Sequence, residues 1–429
     1  MGGADVGGAS GAAGAYAGAA GSGDCLCEEG AVVECITTCG STGSAACRSC
    51  IPGSACAPPV ETCDGSDQDC DGTIDNGLSA GGTEITLTGD RSVRPSVVAT
   101  SFGFAVAYLD MLTSGGWRVA LARYDQTGVR LGAVIDVTTT LGGPPAVAWN
   151  GSTIAVVWAE NYNGSGIYFR SFTSDGTPKA PSVSLAPTNP QATPVIYPSK
   201  AGFVVAYTDY RPTLASRLAT TYVDELGAAL GAEADISTST ARVYSLAGVF
   251  GATGGALYYS DTRSNLARVY RRMLDGVGNA VGSETPIIDG TVWGATDTPS
   301  GHALTINSFQ TDPVNSAALT RDLLVRVDVG GTVVNQSDLA VPQGTVSLRS
   351  YPAAAWFGGR LLVVSGLTLE VRDTELAKIS GPFPFAEDVP GGGYYVSMTA
   401  GSSRVAASVG FDGKGGMAKL RFFGKNGCQ

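Results

Sequence analysis

Five aspartates and two cysteines lie close together in one short stretch, ETCDGSDQDCDGTIDNG, which runs from Glu61 to Gly77. Carboxylates held near one another repel, and removing them from water makes the repulsion worse unless a cation lies between them. A hard divalent cation that prefers oxygen ligands relieves this repulsion. The sequence therefore predicts a cation site whose ligands are Asp64, Asp67, Asp69, Asp71 and Asp75.

The inner part of this stretch, DQDCDGTI from Asp67 to Ile74, follows the first eight positions of an EF-hand loop, in which alternate carboxylates converge on calcium. Leu78 stands where the closing bidentate Glu would be, so the loop is not a complete EF-hand. A solvated acidic linker is the alternative interpretation. The register of Gly72 and Ile74 favours structural Ca²⁺, and hard oxygen ligands with no His or Met nearby favour calcium over copper.

The stretch also resembles a short Cys/Asp metal-binding motif of secreted and surface proteins from myxobacteria and related bacteria, named for a copper-binding outer-surface protein of methanotrophs. The pattern E-x-C-D-G-x-D-x-D-C-D-G-x-x-D covers about 17 of the 429 residues, with Gln68 where the motif usually has Asn. The resemblance implies an exported location, a metal-stapled module and a disulfide between Cys63 and Cys70.

Composition limits the classes of protein to which the chain can belong. With 429 residues, 44% of them hydrophobic and 15% charged, it can bury a large core and form more than one domain. A net charge of −11 and a pI near 4.6 argue against nucleic acid as a partner and against adhesion to anionic membranes. No apolar run approaches the roughly 20 residues that a membrane-spanning helix needs.

Cysteine usage indicates a small disulfide-stapled module in an oxidising compartment, because nine of the ten cysteines lie between Cys25 and Cys70. Zinc at the CxxC pair that ends at Cys50 is the alternative. It would need a second ligand pair or histidines, and His302 is the only histidine. Nine cysteines cannot all pair with one another, so we predict that Cys428 forms a bridge back to this module.

Composition shifts divide the chain into four segments. A Gly/Ala-rich stretch with almost no charge is expected to be a flexible tether, of the kind that follows the lipid-modified cysteine of bacterial lipoproteins. We expect an export signal to have preceded it. The predicted segments are the tether (1–23), a Cys-rich disulfide module (24–60), the Cys/Asp metal-binding motif (61–78) and a β-rich repeat domain (82–429).

The repeat domain has a period of about 50 residues, in which an apolar strand is followed by a second strand that closes on a glycine turn. The apolar strand recurs as FAVAYLD from Phe104, IAVVWAE from Ile154, FVVAYTD from Phe203 and ALYYSD from Ala256. About four strands per repeat and seven repeats predict a mainly β protein, a β-propeller of about seven four-stranded blades. A pair of β-sandwich domains is the alternative.

A propeller has to close its ring, because an open one leaves a blade edge unpaired. The last repeat ends after its third strand, at Phe423, and GTEITLT from Gly82 resembles the missing fourth strand. We therefore predict a clasp in which Thr83–Thr88 completes the last blade beside Ala418–Phe423. This geometry would also bring the C-terminus towards the Cys-rich module.

Catalytic motifs are not evident, and His302 begins an apolar strand, where a structural role is expected. Four acids recur at the ends of the apolar strands and form either turns or a binding ring: Asp110, Glu160, Asp209 and Asp261. Four aromatic residues recur in register and form either blade core or a sugar-binding surface: Tyr108, Trp158, Tyr207 and Tyr259.

These observations predict an exported bacterial cell-surface protein that binds or scaffolds, rather than an enzyme. Its expected partner is a surface ligand, either protein or glycan, and self-assembly is a further option. The alternatives are a propeller hydrolase acting on glycans or peptides, for which two carboxylates about 5–10 Å apart would be expected, and a surface copper-binding protein.

Overall fold

The computed structural model describes fourteen stretches of the chain and separates them into two compact units, Met1–Leu78 and Ser79–Gln429. The described residues are 26–61, 66–70, 84–87, 92–112, 115–138, 142–160, 166–186, 194–209, 217–264, 266–311, 318–339, 350–385, 393–412 and 418–424. The predicted tether therefore lies outside the described residues. Within them, no helix is long and apolar enough to cross a membrane.

The N-terminal unit is built on a three-stranded antiparallel sheet of β1 (Val32–Ile36), β2 (Thr42–Arg48) and β3 (Ile51–Pro52). Its buried apolar side chains are few and small, among them Cys35, Ala45 and Cys47. A sheet with so little core needs covalent support. Disulfides supply it, and those with both cysteines among the described residues join Cys27 to Cys47, Cys35 to Cys56 and Cys39 to Cys70.

Disulfides, rather than zinc, therefore explain the cysteine pair at the end of β2. Cys47 is bonded to Cys27, and Cys50 is also disulfide-bonded. Disulfides form and persist in oxidising compartments, so these bridges support the prediction that the protein is exported.

The second unit begins with a two-residue strand, β4 (Ile85–Thr86), and then forms one four-stranded antiparallel sheet after another. Blade 1 contains β5 (Ser92–Thr100), β6 (Gly103–Met111), β7 (Trp117–Asp125) and β8 (Ile135–Asp136). Blade 2 contains β9 (Gly142–Trp149), β10 (Thr153–Glu160), β11 (Gly166–Thr173) and β12 (Val183–Ala186). Blade 3 contains β13 (Val195–Ser199), β14 (Gly202–Asp209), β15 (Arg217–Val223) and β16 (Ala234–Asp235).

The next three blades repeat this order, the first strand lying innermost and the fourth outermost. Blade 4 contains β17 (Val243–Gly251), β18 (Gly254–Asp261), β19 (Arg268–Asp275) and β20 (Ala280–Asp289). Blade 5 contains β21 (Thr291–Thr298), β22 (Gly301–Thr311), β23 (Ala318–Asp328) and β24 (Val333–Asp338). After β25 (Ser350–Tyr351), blade 6 contains β26 (Ala353–Phe357), β27 (Arg360–Ser365), β28 (Thr368–Arg372) and β29 (Lys378–Pro384).

Blade 7 is completed by the N-terminal end of the unit. It contains β30 (Gly393–Ala400), β31 (Val405–Asp412) and β32 (Lys419–Phe423), with β25 parallel to β30 on its inner side. Its outer strand is β4, which pairs antiparallel with β32, so that Thr86 lies opposite Lys419 and Ile85 opposite Leu420. The predicted clasp is confirmed, and so is the seven-bladed propeller.

The core of the propeller lies between neighbouring blades. The inner strands contact one another in a closed circle, β5 to β9, β13, β17, β21, β26, β30 and back to β5. One hydrophobic cluster joins the first and last blades, packing Phe104 and Leu87 with Phe422. The ring is therefore closed by burial of apolar side chains as well as by the hydrogen bonds of the clasp.

A turn stabilised by an aspartate follows the third strand in most blades and explains the repeated Asp-x-x-Gly of the sequence. In blade 1, Asp125 Oδ1 accepts hydrogen bonds from the backbone N–H groups of Thr127 and Val129, at 2.8 and 2.9 Å. Gly128 adopts a φ of +90°, a left-handed conformation that glycine tolerates best. The same aspartate-to-backbone bonding recurs at Asp224, Asp275, Asp328 and Asp373.

Candidate functional site

The first chemical site is a cluster of carboxylates in the N-terminal unit. Glu61, Asp67 and Asp69 each place a carboxylate oxygen within 4.8 Å of the other two. Glu61 is buried, and its Oε1 accepts hydrogen bonds from the N–H groups of Gln68 and Asp69, at 2.7 and 2.8 Å. Oxygens at such spacing can share one Ca²⁺, since Ca–O distances are about 2.3–2.6 Å. The cluster could therefore hold a metal ion.

The cluster differs in membership from the predicted ligand set. Asp67 and Asp69 lie together, whereas Asp64, Asp71 and Asp75 lie outside the described residues. Glu61 was not predicted as a ligand, although it occupies a fixed position of the Cys/Asp motif. Its folding back onto the aspartate loop is a tertiary contact, which the spacing of the aspartates alone does not reveal.

The predicted disulfide between Cys63 and Cys70 is wrong, because Cys70 is bonded to Cys39. Cys39 lies in the turn between β1 and β2, and the aspartate loop packs on this turn: Ser41 Oγ donates a hydrogen bond to the carbonyl of Gln68 at 2.6 Å. The hairpin turn thus brings a distant cysteine to Cys70. Cys63 and Cys428 lie outside the described residues, so the bridge from Cys428 stays a prediction.

Of the four recurring acids, Asp110 and Asp261 pair with arginines, and Asp261 also accepts a hydrogen bond from the backbone N–H of Arg263 at 3.1 Å, as a turn-forming acid does. Asp110 receives two hydrogen bonds from the guanidinium of Arg118, at 2.9 and 2.7 Å, across the β6–β7 pair. Asp261 is fully buried and receives the guanidinium of Arg263. Asp110 therefore joins β6 to β7 and Asp261 stabilises the turn that follows β18, while the Asp-x-x-Gly turns follow the next strand.

The recurring aromatic residues are core, because Tyr108, Trp158, Tyr207 and Tyr259 are at most 2% exposed. A different aromatic group is partly exposed, and it lies at the beginnings of the inner strands. Tyr351 stacks on Tyr395 with ring centroids 4.2 Å apart, and Trp293 meets Tyr351 edge to face at 4.1 Å. The guanidinium of Arg94 lies over Tyr395, 4.4 Å from the ring centroid.

We call Arg94, Trp293, Tyr351 and Tyr395 the aromatic–arginine stack. Three members of the stack are each the third residue of an inner strand: Arg94 in blade 1, Trp293 in blade 5 and Tyr395 in blade 7. They therefore lie at one face of the ring. Arg94 and Trp293 also lie at β-bulges. Bulges re-aim side chains and are frequent beside binding sites. This shared register could have revealed the stack in the sequence, but only once the inner strands were assigned.

The polar groups of the stack suit a ligand that carries hydroxyls. The hydroxyls of Tyr395 and Tyr351 lie 3.4 Å apart. The indole N–H of Trp293 is buried and has no hydrogen-bond acceptor among the described residues. Because this N–H has almost no exposed surface, Trp293 offers a ligand its ring and not its donor. The stack therefore combines apolar rings, hydroxyl groups and a cation.

The inner strands contribute almost no carboxylates. The innermost strand of each blade and β25 together contain a single acid, Asp297. It lies near the end of β21 that is opposite to Trp293. Its side chain is 78% exposed, and its Oδ1 lies 3.9 Å from Nε2 of His302. Among the described inner strands, the end of the ring that carries the stack therefore has no carboxylate.

His302 takes part in an inter-blade contact. Its Nδ1 lies 2.6 Å from the hydroxyl of Tyr258, and Tyr258 is fully buried between blades 4 and 5. Burial lowers the pKa of His302 below its ordinary value; Asp297 opposes this shift and the charge of Arg271 adds to it. Because Tyr258 has no exposed surface, the pair is structural.

Comparisons with known proteins found resemblance only at the level of structure. No family model matches the chain, and no curated protein matches it. A subtype N10 neuraminidase-like protein of an A/little yellow-shouldered bat/Guatemala isolate is 9% identical, with a TM-score of 0.39, over 80% of this chain and 97% of that one.

Two further structures are similar to the same degree. The α-L-arabinofuranosidase of Podospora anserina, in complex with cellotriose, is 9% identical over 81% of this chain and 96% of that one, with a TM-score of 0.35. The GH43_1 enzyme of Xanthomonas citri, complexed with xylose, is 12% identical over 59% of this chain and 93% of that one, with a TM-score of 0.33.

These comparisons contradict the sequence-based prediction that the protein is not an enzyme. Two of the three similar structures are named as enzymes, and the third is named as neuraminidase-like. We therefore withdraw that prediction. At this identity the likeness transfers no substrate and no catalytic residue to this chain, so its function has to be argued from its own side chains.

Proposed function

We propose that the propeller acts on glycans and that the aromatic–arginine stack is its saccharide-binding site. The observation that carries this proposal is the partly exposed stack of Tyr395, Tyr351 and Trp293, which lies at the inner-strand ends on one face of the ring. Aromatic side chains with polar tips bind ligands that have an apolar surface and a wet edge. A sugar ring has both, since its C–H groups form patches between its hydroxyls.

The polar groups of the stack support a sugar more than a purely apolar ligand. The hydroxyls of Tyr351 and Tyr395 can donate to or accept from sugar hydroxyls, and the ring of Trp293 can pack against the apolar face of a sugar. Export, which the disulfides support, would place this face among extracellular polysaccharides. A cell-surface location belongs to the same proposal.

The test compares two tryptophans at opposite ends of inner strands. Trp293 is the third residue of β21, whereas Trp149 is the last residue of β9 and packs edge to face on Phe102. Affinity electrophoresis in gels containing neutral and acidic polysaccharides measures binding, and release of reducing ends measures hydrolysis.

We expect Trp293→Ala to weaken retention by the polysaccharide at least tenfold, the order expected for a central aromatic contact, and Trp149→Ala to leave it unchanged. Reducing ends should be released only from a polysaccharide that also retains the protein. Equal retention of the two variants, or no retention of the wild type in any gel, would contradict a saccharide site at the stack.

A second proposal concerns the N-terminal unit: we propose that the Glu61, Asp67 and Asp69 cluster binds structural Ca²⁺. Support comes from the mutual approach of three oxygen ligands and from the burial of Glu61. A bound cation would remove the repulsion among these carboxylates. Calcium suits hard oxygen ligands better than copper does.

Elemental mass spectrometry after dialysis against equal Ca²⁺ and Cu²⁺ tests this second proposal. We expect retained calcium that EGTA removes, and its loss in Asp67→Asn and Asp69→Asn. Glu34→Gln is the matched control, because Glu34 is an exposed carboxylate on β1 of the same unit. Retention of copper in place of calcium would contradict calcium as the bound metal. Retention of no metal would contradict the cation site and favour a solvated acidic loop.

A further inference from the structure

We infer that Tyr244 forms a second sugar subsite beside the stack, so that the propeller binds a linear polysaccharide along its chain rather than by a terminal sugar. This inference rests on the proposed function and adds the form of the glycan. Tyr244 is the second residue of β17, the inner strand of blade 4, and is 41% exposed. Among the residues that the structure describes, it is the most exposed aromatic one.

A β-bulge turns Tyr244 out of the packing between blades. Tyr244 is the extra residue of β17, between Val243 and Ser245, which pair with successive residues of β18. Both of these neighbours are buried. A single exposed apolar side chain is ordinary, but a bulge re-aims the residue that it carries and is frequent beside binding sites. The exposure of Tyr244 therefore follows from its place in the strand.

The next blade repeats this arrangement with a tryptophan of the stack. Trp293 is the extra residue of β21, between Val292 and Gly294, which pair with successive residues of β22. The strands β17 and β21 are neighbours in the circle of inner strands. Two adjacent blades therefore each carry an aromatic bulge residue at the same face of the ring.

The two bulges lie at different depths of this face. Counted from the turn that joins the first two strands of each blade, the Tyr244 bulge lies opposite the seventh and eighth residues of the second strand, and the Trp293 bulge opposite the fifth and sixth. Two residues span about 7 Å of strand, and packed sheets lie about 10 Å apart. One sugar ring is too small to contact both side chains, whereas an oligosaccharide that enters at the rim can reach the stack.

The environment of Tyr244 suits stacking on a sugar. The guanidinium of Arg242 lies over its ring, 5.0 Å from the centroid, and Tyr244 remains 41% exposed with this contact in place. A contact of this kind restrains the ring. Tyrosine has few rotatable bonds, so an ordered ring gives contact area at a low cost in conformational entropy. Tyr244 therefore offers a preorganised surface for a second sugar.

The experiment measures how affinity depends on the length of the saccharide. Cello-oligosaccharides and oligogalacturonates, each as dimer, tetramer and hexamer, provide a neutral and an acidic series and are titrated calorimetrically into the full chain. In at least one series, the wild type should bind the hexamer at least tenfold more tightly than the dimer, the size expected of one additional aromatic contact.

Four variants separate the two subsites. Tyr244→Ala should bind the hexamer no more tightly than the dimer and leave dimer affinity unchanged, which also shows that the variant is folded. Tyr244→Phe keeps the ring and should keep the gain with length. Trp293→Ala should weaken binding at every length, because it removes part of the stack. Tyr222→Ala is the matched control, since Tyr222 is a partly exposed tyrosine near the end of β15, on the third strand of blade 3.

The outcomes distinguish this inference from the proposed function. Equal affinity of the wild type for dimer and hexamer, or a gain with length that survives Tyr244→Ala, would overturn the inference and leave the saccharide site at the stack standing. Equal weakening of dimer and hexamer by Tyr244→Ala would also refute a separate subsite. Failure of both series to bind would overturn the inference, and the proposed function with it if the polysaccharide gels also show no retention.

Discussion

The N-terminal unit and the propeller are stabilised in different ways. The described part of the unit has one three-stranded sheet, few buried apolar side chains, several disulfides and a cluster of carboxylates suited to a cation. The propeller has seven sheets and hydrophobic clusters between its blades, and none of its described residues is a cysteine. Covalent links replace a core where the chain is too short to build one.

The largest expected effect comes from reduction. Reducing agent should unfold the N-terminal unit, since each lost disulfide costs about 2–5 kcal/mol and the unit has little core to offset the loss. The propeller should keep its melting temperature. Limited proteolysis read by mass spectrometry, with and without reductant, should show new cuts between residues 26 and 70 only. Melting of the propeller under the same conditions would show that the two units do not differ in this way.

The next largest effect on stability is expected from a substitution in the clasp. Leu87, directly after β4, is 1% exposed and packs in the cluster that joins blades 1 and 7. Leu87→Ala should lower the free energy of unfolding of the propeller by about 2–5 kcal/mol, because it leaves a cavity in that cluster. Urea unfolding followed by tryptophan fluorescence measures the change.

The matched control for the clasp is Val129→Ala, because Val129 is 61% exposed in a turn of blade 1. It should change the unfolding free energy by less than about 0.5 kcal/mol. Equal effects of the two substitutions would mean that the clasp contributes no more than a surface residue and that ring closure relies on other contacts.

A smaller effect is expected when a glycine with positive φ is replaced by alanine, and its size should differ between the two units. Gly128 and Gly40 have φ values of +90° and +88°, so alanine is strained at either position by about 1 kcal/mol. A Cβ at Gly128 would also lie 2.7 Å from the ring of Phe422, whereas a Cβ at Gly40 meets nothing within 4 Å. Gly128→Ala should therefore cost more than Gly40→Ala, by about 1–3 kcal/mol of overpacking. Proteolytic stability of each unit checks this order.

The smallest effect is a pH dependence confined to the propeller, which contains the only histidine. Burial lowers the pKa of His302, so the unfolded chain binds a proton more readily than the folded one. The stability from this group is complete above its ordinary pKa of about 6.5 and is lost as pH falls through the lower folded value. Thermal melting between pH 8 and 5 should show a decline that His302→Gln reduces. An unchanged slope in that variant would assign the decline to other groups.

Much of the fold could be predicted from the sequence because the blades repeat local patterns. Alternating apolar strands and the Asp-x-x-Gly turns depend on neighbours in the chain, and the turn bonds of Asp125 join residues at most four apart. Even the clasp followed from a missing strand and its similarity to other fourth strands. These features are set by period and turn chemistry, which a sequence displays directly.

The acidic stretch from Glu61 to Gly77 and the stack show what the sequence could not determine. Spacing singled out Asp67 and Asp69 as carboxylates for a cation, but Glu61 joined them only because the loop folds back on itself. The partner of Cys70 was set by a hairpin turn 31 residues away.

The stack gathers side chains from strands nearly 300 residues apart. The sequence alone determined the seven-bladed ring, its clasp and the acid-rich loop, because each depends on local pattern. Which side chains meet was decided by the closing of the ring and the folding of the loop, since contacts between distant residues depend on three-dimensional packing.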